Sequence, residues 1–295
     1  MMDIAMPPPA SRHASVRSLV RRLKLRHCRP DDLKITRRRA GEGWTHHDAD
    51  GKEITDAAML KRFASLAVPP AYEDVLYAED ERGHLQAVGR DAAGRLQYRY
   101  HPDWEHVREA EKAQRLTALV EVLPKIRRAV GQYLAGSEPS RSFALAAVTE
   151  LISGSAIRPG NEEYLKKHGS RGAATLLKSN VRVSGDMISL VFRGKSKQDV
   201  RKEFSSARLA SAIAVLRTIP GPRLFQYRDE DGSIRRVSAR EVNAFLRDIA
   251  GCQISLKDFR TLCASVSVLE HLARTVPANR CVNARRYAAV NSCPD

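Results

Sequence analysis

Apolar residues recur along this chain with two different periods. From residue 33 to residue 104 the pattern is short, alternating and broken by turns. Trp44-Thr45-His46-His47 runs into the turn Asp48-Ala49-Asp50-Gly51-Lys52. Asp74 to Tyr77 and His84 to Arg90 read as further strands. Asp91-Ala92-Ala93-Gly94 then turns into Arg95 to His101. Strict alternation puts Arg95, Gln97, Arg99 and His101 on one face of that last strand. A single helix interrupts. Thr55 or Asp56 caps it, Met59, Leu60, Phe63 and Leu66 form its apolar face, and Val68-Pro69-Pro70 stops it.

Past Pro102 the period becomes helical. Glu105 to Gly131 carries Val107, Ala110, Ala113, Leu116, Leu119, Val120, Leu123, Ile126 and Val130, and Pro124 is expected to break it. Phe143 to Ile152 is apolar nearly all round, which predicts a buried helix. Val181 to Phe192 reads as a hairpin about Ser184-Gly185-Asp186. Phe204 to Arg217 predicts a helix, Ser238 caps another, and Leu256 enters a last one with Leu262, Val266, Leu269 and Leu272 toward the core. Near the N-terminus Val16, Leu19, Val20 and Leu23 predict a short amphipathic helix with an arginine-rich outer face.

These patterns predict an α+β protein in four stretches. Residues 1–30 form a basic, partly disordered arm, and 31–102 a small, mainly β domain. Residues 103–276 form a larger, mainly α domain with a small β-hairpin, and 277–295 an atypical tail without a sustained period.

Charge narrows the function. Among 295 residues, Lys+Arg number 50 and Asp+Glu 34, for a net charge of +16. That excess points to a polyanion, above all nucleic acid. The arginines of the 12–29 stretch serve equally as a solvated face or as phosphate contacts. No apolar run is long enough to span a bilayer, and the N-terminus lacks the apolar core of a secretion signal. Cys28, Cys252, Cys263, Cys281 and Cys293 are odd in number and scattered, which argues against a disulfide scaffold or a zinc site.

Three cations stand at the ends of elements. Arg158, in Ile157-Arg158-Pro159-Gly160-Asn161-Glu162-Glu163-Tyr164, precedes a short helix capped by Asn161 and stopped by Gly169. Lys195, in Phe192-Arg193-Gly194-Lys195-Ser196, lies in the turn after the hairpin. Arg260, in Lys257-Asp258-Phe259-Arg260-Thr261, lies near the start of the last helix. Each alone reads as an ordinary surface cation. Together they suit a phosphodiester, whose non-bridging oxygens guanidinium groups can grip.

At these residues the sequence resembles the bacterial and poxvirus-like type IB DNA topoisomerases. The Arg158 segment looks like the family's first-arginine motif. Arg193-Gly194-Lys195-Ser196 looks like its lysine hairpin, 37 residues on, and Asp258-Phe259-Arg260-Thr261 looks like its second-arginine motif. His84 to His101 is similar to the family's DNA-clamping domain. Pro159 departs from the apolar β-branched residue usual there. The resemblance implies a C-shaped clamp on duplex DNA. Arg90, Arg95, Gln97, Tyr98, Arg99, Tyr100, His101 and Tyr164 are then DNA-contacting residues. It further implies tyrosine attack on a phosphodiester, a 3′-phosphotyrosyl enzyme, strand rotation and religation. Arg158 and Arg260 would grip the phosphate and Lys195 would protonate the leaving 5′-oxygen. Neither metal, ATP nor any other cofactor is implied. The expected state is a monomer in the cytoplasm, on the nucleoid.

The nucleophile is less plain. Tyr287 lies 27 residues beyond Arg260, about half the family's spacing, and its surroundings do not match the family motif. Either Tyr287 attacks from a shortened C-terminus, or the family's last helices are lost through truncation or a frameshift near Pro277. The second case leaves a DNA-binding chain without strand passage. A tyrosine recombinase shares the same chemistry, but Lys257-Asp258-Phe259-Arg260 lacks the histidine expected three residues before its second arginine.

Overall fold

A computed structural model of the chain describes residues 16–275. Tyr287, Cys281, Cys293 and the N-terminal proline-rich stretch lie outside the described residues. By contacts the chain divides into two compact units, Met1–Ala113 and Gln114–Asp295, with the division falling inside one long helix.

The first unit begins with α1 (Val16–Arg22), whose apolar side chains meet Leu25, Trp104 and Val107. Its centre is an antiparallel sheet of β1 (Ile35–Ala40), β2 (Gly43–His47), β3 (Glu73–Tyr77), β4 (Leu85–Arg90) and β5 (Leu96–Tyr100), in the order β2-β1-β3-β4-β5. One face is covered by α2 (Ala57–Ser65), which starts where the Asp56 carboxylate accepts from Met59 N. Phe63 packs there on Ile35, Val75, Tyr77 and Ala87. Arg37, in the middle of β1, is held by the carbonyls of Pro69 and Tyr72 and stacks over Trp44 at 4.0 Å. The loop after α2 is thereby tied to the sheet.

The helix α3 (Trp104–Leu134) contains the unit division and runs unbroken through Pro124. The expected break does not occur. Proline removes one N–H, and the carbonyl it orphans belongs to Val120, which is 52% exposed, so water can serve it. Leu119, Ile126 and Val130, on either side, are buried in the core of the second unit and hold the helix across the gap.

That core surrounds α4 (Arg141–Ser155), which is buried over most of its length as its composition predicted. Around it stand α5 (Glu162–His168), the sheet β6 (Val181–Ser184), β7 (Met187–Arg193) and β8 (Asp199–Ser205), and α6 (Ala207–Arg217). The hairpin β9 (Gln226–Arg228) and β10 (Ile234–Arg236), with α7 (Ala239–Ala250) and α8 (Leu256–Thr275), completes it. Two sequence expectations need correction here. Phe204 belongs to β8 rather than to a helix. The helix begins only after Ser206, whose hydroxyl accepts from Leu209 N, while Phe204 pairs with Ile188 across the sheet. In α8 the apolar face does not stay on the core. Val266 and Leu269 are 43% and 65% exposed. No helix among the described residues is long and apolar enough to cross a membrane.

Candidate active site

The second unit brings the three separated cations together by backbone packing. At the end of α4, Ala156 adopts a left-handed conformation (φ 54°) and its N–H returns to Ile152. This buries Ile157 and turns Arg158 outward. The loop that follows lies flat on Gly172-Ala173-Ala174. Ala173 N and Ala174 N donate to the carbonyls of Arg158 and Pro159, each at 2.8 Å. The approach is close enough that a Cβ on Gly172 would sit 2.4 Å from both Arg158 O and Gly160 N. No side chain fits there.

Lys195 is placed from the same segment. Arg171 N donates to Arg193 O at 2.8 Å, at the end of β7. The chain then folds back in a tight turn, with Gly194 N on Gln198 O and with Ser196 and Lys197 both at φ 60°. Lys195 stands exposed at its start.

Arg260 is set by the beginning of α8. The buried Asp258 carboxylate accepts from Ser255 N and Oγ, each at 2.8 Å, and faces Arg115 at 3.5 Å. Leu256 N donates to Asn243 at 2.9 Å. Arg260 Nε then donates to Ala156 O at 2.6 Å, which leaves its terminal N–H groups for another acceptor. Lys257, three residues earlier, shares its helical face.

The resulting cleft encloses about 470 Å³ and is lined by Arg158, Asn161, Tyr164, Arg171, Lys195, Lys257 and Arg260, among others. No carboxylate lines it among the described residues. Burial, and then the charge of Arg158, pushes Arg260 below the usual arginine range. Burial likewise lowers Arg171, with the Arg223 charge adding and Glu162 opposing. Behind the cleft Arg223 is forked onto Glu162 at 2.8 and 2.9 Å, and both Arg223 and Arg171 donate to Thr175 O. Glu162 is therefore spent on Arg223, and the cleft is left with an uncompensated positive charge. An anion with several oxygens is its natural complement.

All three predicted cations and Tyr164 thus meet in one place. Arg171 and Lys257 are additions. Lys257 was legible as the i−3 neighbour of Arg260. Arg171 was not, because its position depends on a contact with Arg193 that no local pattern announces.

In the first unit the predicted contact residues divide. Arg95 and Gln97 turn onto Asp91, at 2.7 and 2.9 Å, and hold its carboxyl down at about 2, the Arg95 bond being the largest cause. Arg90 faces Asp74 at 3.4 Å and the Gly94 carbonyl. His101 Nδ1 accepts from Asp103 N, and Arg99 donates to Ala67 O. Tyr98 and Tyr100 lie exposed on the other face of β5, stacked with centroids 6.1 Å apart.

An electropositive cleft beside a helical core has the charge and donor groups to take a multi-oxygen anion such as a phosphodiester. Residues 101–294 match the family described as eukaryotic DNA topoisomerase I, catalytic core. Residues 43–91 match the bacterial DNA topoisomerase IB N-terminal domain. The chain belongs to the type IB DNA topoisomerase family and is an isomerase. A relative named DNA topoisomerase 1B, from Acanthamoeba polyphaga mimivirus, is 30% identical over 83% of this chain and 76% of its own length. DNA topoisomerase 1B of vaccinia virus (strain Copenhagen) is 26% identical over 72% and 69%. A solved XerH site-specific recombinase bound to difH overlays with a TM-score of 0.35 at 11% identity, covering 55% of this chain and 47% of that one. So slight a likeness bears no argument.

Proposed function

We propose that this topoisomerase relaxes supercoiled duplex DNA through a transient 3′-phosphotyrosyl bond formed in the Arg158–Lys195–Arg260 cleft. The observation that carries the reading is the convergence of these cations, from three distant segments, on one space that no carboxylate lines among the described residues. Arg158 and Arg260 donate to the non-bridging oxygens, where charge builds in the transition state. Lys195 protonates the departing 5′-oxygen and takes the proton back on religation. Tyr287 attacks phosphorus. Its hydroxyl titrates near pH 10 when free, so it depends on the surrounding cations to lose its proton. Arg90, Arg95, Gln97, Tyr98, Arg99, Tyr100, His101 and Tyr164 contact the duplex, around which the two units close as a C-shaped clamp. The protein works as a monomer on nucleoid DNA in the cytoplasm, without metal, ATP or cofactor.

A second reading is a chain that binds duplex but does not pass strands. It is favoured by the spacing of Tyr287, only 27 residues beyond Arg260. Plasmid relaxation in EDTA without ATP separates the two. The first reading expects relaxation, a covalent DNA adduct on denaturation, loss of both in Tyr287→Phe, and a rate reduced about 10²–10⁴-fold in Lys195→Ala. Relaxation that survives Tyr287→Phe sinks the nucleophile assignment. Duplex binding with neither relaxation nor adduct establishes the second reading.

A further inference from the structure

Arg171 lines the active-site cleft but belongs to none of the three motifs that supply Arg158, Lys195 and Arg260. Two tethers fix it. Its backbone N–H donates to Arg193 O at 2.8 Å, at the foot of the turn that carries Lys195. One terminal nitrogen of its guanidinium donates to Thr175 O at 2.9 Å. The same carbonyl takes a second bond, at 2.7 Å, from the buried guanidinium of Arg223. Arg223 in turn donates to both carboxylate oxygens of Glu162, at 2.8 and 2.9 Å. Thr175 is locked as well, since its hydroxyl accepts from Gly172 N and donates to Gly172 O. The acceptor that holds Arg171 is therefore itself held from two sides.

Arg171 is half-buried. Burial and the Arg223 charge disfavour its charged form by more than Glu162 restores. It makes no ion pair among the described residues, because both Glu162 oxygens are taken by Arg223. One bond to Thr175 O leaves its other N–H donors without a protein acceptor among the described residues. A partly desolvated cation without a counter-charge is costly, and an anion entering the cleft relieves that cost.

We propose that Arg171 is a further catalytic residue, donating to a non-bridging oxygen of the scissile phosphate as charge gathers there, and that Glu162 and Arg223 are positioning residues acting on it through the Thr175 carbonyl. The proposal rests on the strand-cleavage reading above. In that step the tyrosine hydroxyl gives its proton to water and its oxygen bonds to phosphorus. The P–O5′ bond breaks with its electron pair on the 5′-oxygen, which Lys195 protonates. Negative charge on the non-bridging oxygens is greatest while phosphorus is bonded to both the entering and the leaving oxygen. A guanidinium already fixed in place meets that charge without reorganising.

The test is single-turnover formation of the covalent adduct by the full chain, on a duplex that the wild type cuts at one site, beside duplex affinity by anisotropy. Arg171→Ala should lower the cleavage rate at saturating enzyme about 10²-fold and change affinity by less than about threefold. Arg171→Lys keeps the charge without the planar fork and should restore part of the rate; it also serves if Arg171→Ala melts early. A methylphosphonate at the cleaved site replaces one charged oxygen by a neutral methyl. In at least one of its stereoisomers Arg171→Ala should lose little against wild type. An equal penalty on phosphate and on both stereoisomers makes Arg171 a structural residue and overturns the proposal. Glu162→Leu/Arg223→Met removes both charges of the pair, so no buried charge is left alone. It should slow cleavage less than Arg171→Ala does, and the combined variant should lose less than the product of the separate losses. Losses that simply multiply would strike Glu162 and Arg223 from the positioning role. Wild-type chain that forms no adduct sinks the strand-cleavage reading and this role together, whereas wild-type adduct with an unslowed Arg171→Ala sinks this role alone.

Discussion

At the scale of single residues, the site depends most on a glycine that carries no chemistry. Arg158 is exposed and could take many rotamers. Its backbone could not move without leaving Gly172, which meets Arg158 O and Gly160 N where a Cβ would lie 2.4 Å away. The neighbours in that contact are main chain, which cannot swing aside as a side chain can. Gly172→Ala therefore costs roughly 3 kcal/mol and, more tellingly, shifts Arg158 relative to Arg260 and Lys195. The expected outcome is a DNA-cleavage rate that falls more than affinity does, measured as single-turnover adduct formation beside duplex binding. A variant with normal cleavage and a normal melting temperature would show that the loop can relax without moving the arginine. The sequence announced Arg158, Lys195 and Arg260 because each sits beside a local signal: a cap, a turn, a helix start. Gly172 and Arg171 carried no such signal, since their roles arise from contacts with Arg158 and Arg193 that are distant in the chain.

At the scale of elements, helices and strands whose faces are fully buried or flanked by caps were legible. The α4 core helix, the Asp56 and Asn161 caps and the β6–β7 hairpin all follow from local pattern. Errors fell where tertiary packing overrides propensity. Charged β8 reads poorly as a strand, yet it pairs along its whole length with β7. Pro124 reads as a stop, yet α3 passes through it because both flanks are buried. That second case makes a direct prediction. Proline in a helix interior costs about 3 kcal/mol relative to alanine, and here its orphaned carbonyl is on the exposed side at Val120. Pro124→Ala restores that hydrogen bond without filling or emptying the core. It should raise the urea midpoint of the second unit, by about 1–3 kcal/mol in stability. An unchanged or lower midpoint would mean that α3 needs a bend at this position.

At the scale of the whole molecule, acid acts on the first unit through two of its histidines. Two histidines of the first unit have their pKa pushed below the ordinary value by their surroundings. His46 packs between Phe63 and Tyr77, and burial, then the charges of Arg37 and His47, pushes its pKa below the ordinary value. His84 meets Trp104 edge-on and His27 at a tilt, and burial, then the His27 charge, lowers it as well, against a backbone bond that opposes. In the unfolded chain both titrate near pH 6.5. Below that pH the unfolded state binds protons that the folded state refuses, so stability is present in full above the unfolded value and falls as the medium is acidified. The chain's two tryptophans, Trp44 and Trp104, both lie in the first unit, so their fluorescence reports chiefly that unit. Melting followed by tryptophan emission should shift downward between pH 7.5 and pH 5.5. His46→Phe preserves the ring packing and removes one titrating group. It should flatten the tryptophan-detected shift without lowering the melting temperature at pH 8. A shift that is equally steep in His46→Phe would assign the acid sensitivity to other groups and leave His46 a packing residue only.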